Sequence, residues 1–272
     1  MALNNQYLTH ARALAHKAGE ILLDGRPDSA RNSVLETNFK SSPTDLVTAK
    51  DLASENVIVT GILEKFPDDG IVGEEGTNRA TSSGIQWIID PLDGTINYIY
   101  GSPFWSISIA VADDKGVFAG VVYVPLLDLE FYAVRGEGAY RKDRFGHVKL
   151  PNIIETELEN ALCATGFAYK ADVRIEQGNQ LLSILPKIRD IRRVGTAAFD
   201  LCMVASGNVN AYFERTAQIW DIAAGALMVE EVGGVVSGLF GQPPGPDFTI
   251  AGPAKLQAEL VAHFENFNSQ SV

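Results

Sequence analysis

Two spacings of apolar side chains alternate along the chain. Tyr7, Ala11, Leu14, Ala15, Ala18, Ile21 and Leu22 recur every three or four residues, the mark of an amphipathic helix that stops before Gly25 and Pro27. Leu52, Ile58, Ile62, Leu63 and Phe66 repeat the pattern and predict a second helix from Asp51 to Pro67 and Gly70. Ile71-Val72 reads as a short strand opening into the acidic loop Gly73-Glu74-Glu75-Gly76. Trp87-Ile88-Ile89 has the bulk of a buried strand; Pro91 cannot donate to a ladder, so Asp90 is expected as its last residue and Asp93 on the loop beyond. Residues 105–112 and 117–124 predict a hairpin across Asp113-Asp114-Lys115-Gly116, with 129–134 as a further strand.

Past Pro151 the pattern shifts to helices and shorter strands. We expect one domain over 1–272, with lobes 1–150 and 151–272 meeting at a weak boundary. Gly195 and Gly207 bracket a helical segment, Ala211-Tyr212-Phe213-Glu214 reads as a strand, and a small-residue helix from Trp220 ends at Gly233-Gly234. Asp221 falls in the first turn of that last helix.

Composition narrows the function. With 272 residues, 46% of them hydrophobic, the chain can bury a large core. A formal charge of −12 would repel phosphate backbones, so a sequence-general nucleic-acid binder is disfavoured and cations are invited. No stretch is long and apolar enough to span a membrane, and the N-terminus has neither a basic n-region nor an apolar h-region, so a cytoplasmic protein is expected. Cys163 and Cys202 sit far apart in apolar surroundings that suit buried thiols rather than a disulfide. His10, His16, His147 and His263 lie outside every acidic motif. A metal site built without them would be all oxygen, which suits Mg²⁺, with Mn²⁺ as a substitute, better than zinc.

Each acidic motif also has a plain structural reading. Asp90 and Asp93 could be a strand end and a helix cap, Glu74 surface charge, and Asp221 an ordinary N-cap. Asp90, however, follows an apolar run that should bury it with no nearby Lys or Arg, and a buried carboxylate wants a cation. Asp93-Gly94-Thr95 suits a helix N-terminus whose free N–H groups could face a phosphate.

Taken together, Lys40-x4-Asp45-Leu-Val-Thr48-x2-Asp51, then Gly73-Glu74-Glu75, then Asp90-Pro-Leu-Asp93-Gly94-Thr95-x-Asn97, then Trp220-Asp221-x-Ala-Ala-Gly225 with Gly233-Gly234, resemble the inositol monophosphatase family. The resemblance runs from about Lys40 to Gly234. It implies a mixed α/β (α+β) fold, a layered αβαβα sandwich, and hydrolysis of a small phosphate monoester, inositol monophosphate first among the candidates. It also implies a metal set of Glu74, Asp90, the Leu92 carbonyl, Asp93 and Asp221 holding two to three Mg²⁺ ions, with Thr95, Asp51 and Glu74 as the catalytic group. On the substrate side it implies Asp93, Gly94, Thr95, Gly195, Thr196, Ala197, Glu214 and Asp221, and it implies lithium sensitivity and a homodimer with no membrane or nucleic-acid partner.

One departure stands out. Gln218 occupies the place, three residues before Asp221, where many relatives carry Lys or His, so a positive contact is missing there. Related phosphatases act on histidinol phosphate, fructose 1,6-bisphosphate, NADP(H) or adenosine bisphosphate. A regulatory protein that keeps the fold is a reading of a different class. Aspartyl-phosphate phosphatases, a third possibility, are disfavoured because Pro91 stands where their nucleophilic aspartate would be.

Overall fold

The structure, a computed structural model, describes residues 2–24, 26, 37–39 and 46–270. The Lys40 to Asp45 part of the first motif lies outside them.

In chain order the elements are α1 (Ala2–Leu23), β1 (Thr37–Phe39), β2 (Leu46–Thr48), α2 (Ala49–Lys65), β3 (Gly70–Gly73), β4 (Asn78–Arg79), β5 (Gln86–Asp93) and α3 (Thr95–Ile99). There follow β6 (Ser106–Asp113), β7 (Gly116–Val124), β8 (Leu129–Val134), β9 (Gly138–Asp143), β10 (Gly146–Lys149) and β11 (Leu162–Thr165). The chain finishes with α4 (Ala171–Ile184), β12 (Asp190–Arg192), α5 (Ala197–Ala205), β13 (Ala211–Glu214), α6 (Ile219–Glu231), β14 (Val235–Ser237), β15 (Thr249–Gly252) and α7 (Ala254–Gln270).

Among the described residues, eight strands form a large sheet in the order β10-β9-β8-β7-β6-β5-β3-β4, antiparallel except where β3 runs parallel to β5. Five form a smaller one, β12-β11-β13-β15-β14, parallel from β12 through β11 to β13 and antiparallel beyond. Strand alternation stacks the layers, because successive side chains leave opposite faces of a sheet. Tyr123 of β7 meets Gly19 of α1 on one face of the large sheet, and Gly120 of the same strand meets Ala224 of α6 on the other. On β13, Tyr212 joins the core shared with α5 and α6, while Phe213 points to the other face and packs, with rings tilted, against Phe264 of α7. The order is therefore helix pair, large sheet, helix pair, small sheet, helix pair: a mixed α/β fold with αβαβα layering.

Gly225 shows why α6 is rich in small residues: an added Cβ would lie 2.6 Å from the Leu201 Cβ of α5. Close approach of α5 and α6 matters because both carry site residues at their N-termini.

Two local expectations need correction. The strand does not stop at Asp90; β5 runs to Asp93, with the register against β6 slipping between Asp90 and Asp93. That bulge absorbs Pro91, whose missing N–H would otherwise leave a gap in the ladder. Leu52, counted among the apolar positions of the second helix, is 52% exposed. The buried face of α2 instead reads Asp51, Ser54, Glu55, Ile58, Gly61 and Ile62, polar at its N-terminal end and apolar beyond. Cys163 and Cys202 are free and buried, as expected, and burial pushes the Cys163 thiol up to about 12. No helix among the described residues is long and apolar enough to cross a membrane.

Candidate active site

A cleft of about 480 Å³ opens where the C-terminal end of β5 meets the N-termini of α3, α5 and α6. Glu74, Asp90, Leu92, Asp93, Gly94, Thr95, Gly195, Thr196, Ala197, Glu214 and Asp221 all line it. Of the residues expected from sequence, only Asp51 stands behind the wall; it is fully buried and reaches the cleft through Thr95.

Three elements place the four carboxylates. Asp90 and Asp93 flank the bulge of β5, and Asp90 Oδ1 accepts from Leu92 N at 3.0 Å. Asp93 Oδ2 accepts from Thr196 Oγ1 at 2.5 Å and from Ala198 N at 2.8 Å, which ties the large sheet to the first turn of α5. Since Thr196 spends its proton on Asp93, Ser106 Oγ, 3.0 Å away, donates to it in turn. Asp221 is the third residue of α6, and its Oδ2 accepts from Gln218 N at 2.6 Å. Glu74 rides the turn after β3, with its backbone N–H held by Ile89 O at 3.1 Å and its carboxyl in hydrogen-bonding contact with that of Asp90.

Burial and mutual repulsion set the electrostatics. Burial raises Asp90 well above the usual carboxylate range, and the charges of Glu74, Asp93 and Asp221 push the same way. Burial likewise lifts Asp93 to about 7, although the Thr196 hydroxyl and the Ala198 N–H hold it down in part. Asp221 is raised by burial and by Glu74 and Asp93, against the opposing hydrogen bond from Gln218. This is a cluster that needs positive charge.

The donor set fits a hard divalent cation. It is oxygen only, and no His or Cys lines the cleft. Among the described residues no three His, Cys, Asp or Glu side chains already stand in the geometry to ligate one ion. One oxygen each of Asp90, Asp93 and Asp221 is taken by protein donors, so an ion would be held by the remaining oxygens.

Thr95 opens α3 directly after Gly94, whose φ of +94° places it in the left-handed region where a side chain would be strained. A Cβ on Gly94 would also come within 3.2 Å of the Gly195 and Phe104 carbonyls. Thr95 Oγ1 lies 3.0 Å from Asp51 Oδ1 and 3.2 Å from Leu92 O. Asp51 in turn closes the N-terminus of α2, its Oδ2 accepting from Thr48 N at 2.9 Å and from Thr48 Oγ1 at 2.5 Å. Asn97 braces the facing loop through hydrogen bonds from Nδ2 to Phe104 O at 2.6 Å and Val194 O at 2.9 Å.

At the far end of the cleft Glu214 accepts from Tyr212 Oη at 2.9 Å, and burial pushes it up to about 7. Gly166 makes room for it, since a Cβ there would fall 2.1 Å from Glu214 Oε2. Gln218 also lines the cleft, but its Nε2 donates to Thr216 O at 2.9 Å. Two basic side chains, Lys170 and Arg193, line the cleft from other positions, and the charge of Arg193 acts on the buried Glu214 and Asp200 carboxyls, opposing the upward push of burial. The residue types at 166, 170 and 193 gave no pattern to read, because a basic residue on a loop is more often solvated surface. Asp200, one turn into α5, is buried with its Oδ1 unpartnered, and it too was not expected.

Fold and cleft together define a layered α/β protein with a carboxylate-rich site. Residues 3–269 match the family model described as the inositol monophosphatase family, and the chain belongs to that family, which is generally metal-dependent. The chain is 37% identical over 236 residues to an inositol-1-monophosphatase of Mycobacterium leprae, covering 84% of this chain and 81% of that protein. It is 41% identical over 234 residues to a protein of Pasteurella multocida named Nus factor SuhB, covering 85% of each. An IMPase of Thermotoga maritima superposes with a TM-score of 0.85 at 29% identity, covering 97% of this chain and 99% of that one.

Proposed function

We propose that this protein hydrolyses a small phosphate monoester, inositol monophosphate first, in a Mg²⁺-dependent reaction with water as the nucleophile and no covalent intermediate. The observation that carries the reading is the convergence of Glu74, Asp90, Asp93 and Asp221, from the turn after β3, from β5 and from α6, on one cleft wall beside the Gly94-Thr95 turn. Family membership and the relatives named as inositol monophosphatases support it.

Glu74, Asp90, the Leu92 carbonyl, Asp93 and Asp221 would hold two to three Mg²⁺ ions, with Mn²⁺ able to substitute. Such ions neutralise the phosphate and lower the pKa of nearby water. The chain's own groups then have distinct tasks. Thr95 Oγ1 donates its proton to Asp51 and so keeps lone pairs with which to accept from the attacking water. The N–H groups of Gly94 and Thr95 face the phosphate, while Gly195, Thr196 and Ala197 shape the wall beside it. Glu214 accepts hydroxyl donors of a polyol. Pro91 leaves no carboxylate where a phosphoaspartate would form.

The working form we infer is a cytoplasmic homodimer inhibited by lithium. The test of function is Mg²⁺-dependent phosphate release from myo-inositol 1-phosphate, histidinol phosphate, fructose 1,6-bisphosphate, NADP⁺ and 3′,5′-adenosine bisphosphate. The highest kcat/KM is expected on the inositol ester, and no release from any of them would overturn the reading. The relative named as a Nus factor supports a second reading, a binding role kept on the same fold. An Asp93→Asn variant that loses hydrolysis yet restores a deletion strain would establish that second role.

A further inference from the structure

Helix α2 turns three polar side chains, Asp51, Ser54 and Glu55, into the protein at the end nearest the cleft. Asp51 holds Thr95, and Ser54 Oγ donates to Pro91 O at 2.8 Å, inside the bulge of β5. Glu55 is 5% exposed, and its partners are not cations. Oε2 accepts from Glu75 N at 2.9 Å, while Oε1 accepts from Thr77 Oγ1 at 2.6 Å and Thr77 N at 3.2 Å. The carboxylate lies flat on the turn that follows β3, where a Cβ on Gly73 would be 2.4 Å from Glu55 Oε2.

That turn carries Glu74. It is closed by Gly73 N donating to Thr77 O at 2.8 Å, and pinned to β5 by Glu74 N donating to Ile89 O, one residue before Asp90. Glu74 is thus held between β5 on one side and Glu55 on the other. Whenever both carboxyls are ionised, like charges on Glu74 and Asp90 push the turn away from the sheet, and charge-assisted hydrogen bonds to backbone N–H groups are strong enough to oppose that push.

We propose that Glu55 is a positioning residue for the cation held by Glu74: by clamping Glu75 N and Thr77 it keeps the Gly73 to Thr77 turn where the Glu74 and Asp90 carboxylates meet. The proposal rests on Glu74 being a metal ligand. Without the clamp the turn swings out and the two ligands separate before an ion arrives.

The test compares the full-length parent with Glu55→Gln, Thr77→Val and Glu74→Gln in two measurements. Hydrogen exchange reads the Glu75 and Thr77 amides, and Mn²⁺ titration followed by electron paramagnetic resonance reads cation affinity. For Glu55→Gln, which keeps the shape and removes the charge, exchange at both amides should quicken and Mn²⁺ affinity fall by roughly 10-fold to 100-fold. The cation concentration for half-maximal activity should rise in step, with kcat recovering at saturating cation. Thr77→Val, which leaves Glu55 in place and deletes one donor, should show the same effects at about threefold and answers the case in which Glu55→Gln does not fold. Unchanged Mn²⁺ affinity in both clamp variants, with Glu74→Gln weakened, overturns the proposal. Unchanged affinity in Glu74→Gln overturns the metal-ligand reading itself, and the positioning role with it.

Discussion

Thr95 Oγ1 and Asp51 Oδ1 stand 3.0 Å apart, joining the first turn of α3 to the first turn of α2 across 44 positions of sequence. The hydroxyl has one proton and two acceptors in reach, Asp51 and Leu92 O, so its lone pairs are turned toward the cleft. Thr95→Ala should lower kcat by about 10²-fold to 10³-fold with little change in KM, whereas Thr95→Ser should stay within about tenfold of the parent. Steady-state kinetics on the best substrate decide it; equal losses in both variants would remove the hydroxyl from the reaction.

Asp93→Asn separates function from stability. Removing one charge from the cluster should cut cation-dependent hydrolysis by at least about 10²-fold. The amide oxygen can still accept from Thr196 and Ala198, and repulsion with Glu74 is relieved. The cation-free melting temperature should therefore be equal to or above that of the parent, as read by calorimetry.

Divalent cation should stabilise the whole protein. Carboxylates crowded by burial and by one another gain an opposite charge only in the folded state. Mass action then predicts about 2.7 kcal/mol of added stability at a cation concentration 100 times Kd, seen as a rise in melting temperature that chelator reverses. A flat melting curve up to millimolar Mg²⁺ would contradict the cluster's role.

The pair Arg12 and Glu130 makes a prediction away from the cleft. Arg12 Nε and Nη2 donate to Glu130 Oε1 and Oε2 at 2.9 and 2.8 Å, binding α1 to β8. Burial pushes Glu130 up, but the hydrogen bonds and charge of Arg12 outweigh it and hold the carboxyl below its ordinary value. A carboxyl with a lowered folded pKa adds stability above its unfolded pKa and loses it as pH falls through the folded value. Arg12→Ala leaves Glu130 buried without that partner and should cost about 3 kcal/mol near pH 7. The stranded carboxyl now takes up a proton readily, so the melting temperatures of variant and parent should converge as pH is lowered from 7 to 4.

Much of the site was legible because its chemistry is concentrated in short motifs at element ends. Asp90, Asp93, Gly94 and Thr95 follow one another at a strand-to-helix turn, and Asp221 sits in a helix's first turn, so local pattern placed them. Three kinds of residue escaped. Ser54 and Glu55 occupy helix positions where a polar residue is ordinarily solvent-facing, and only the packing of α2 against β5 shows that this face is inward. Lys170 and Arg193 reach the cleft from loop positions with no pattern of their own. Pro91 looked like a terminator because a proline in a strand forfeits a ladder bond; the bulge that accommodates it is a pairing event with β6 and leaves no trace in β5's own residues.

From the order of its side chains alone, the chain determined the helices of α1, α2, α5 and α6, the core strands of the large sheet, and which carboxylates lie near the ends of those elements. These follow from short-range rules of periodicity, capping and charge. The tertiary structure decided which of those carboxylates share a cleft and which groups brace them: Thr196 and Ala198 on Asp93, Asp51 on Thr95, Glu55 on the turn of Glu74. Each of those contacts spans 20 or more positions of sequence, and such contacts form only when the layers pack, so no local pattern could encode them.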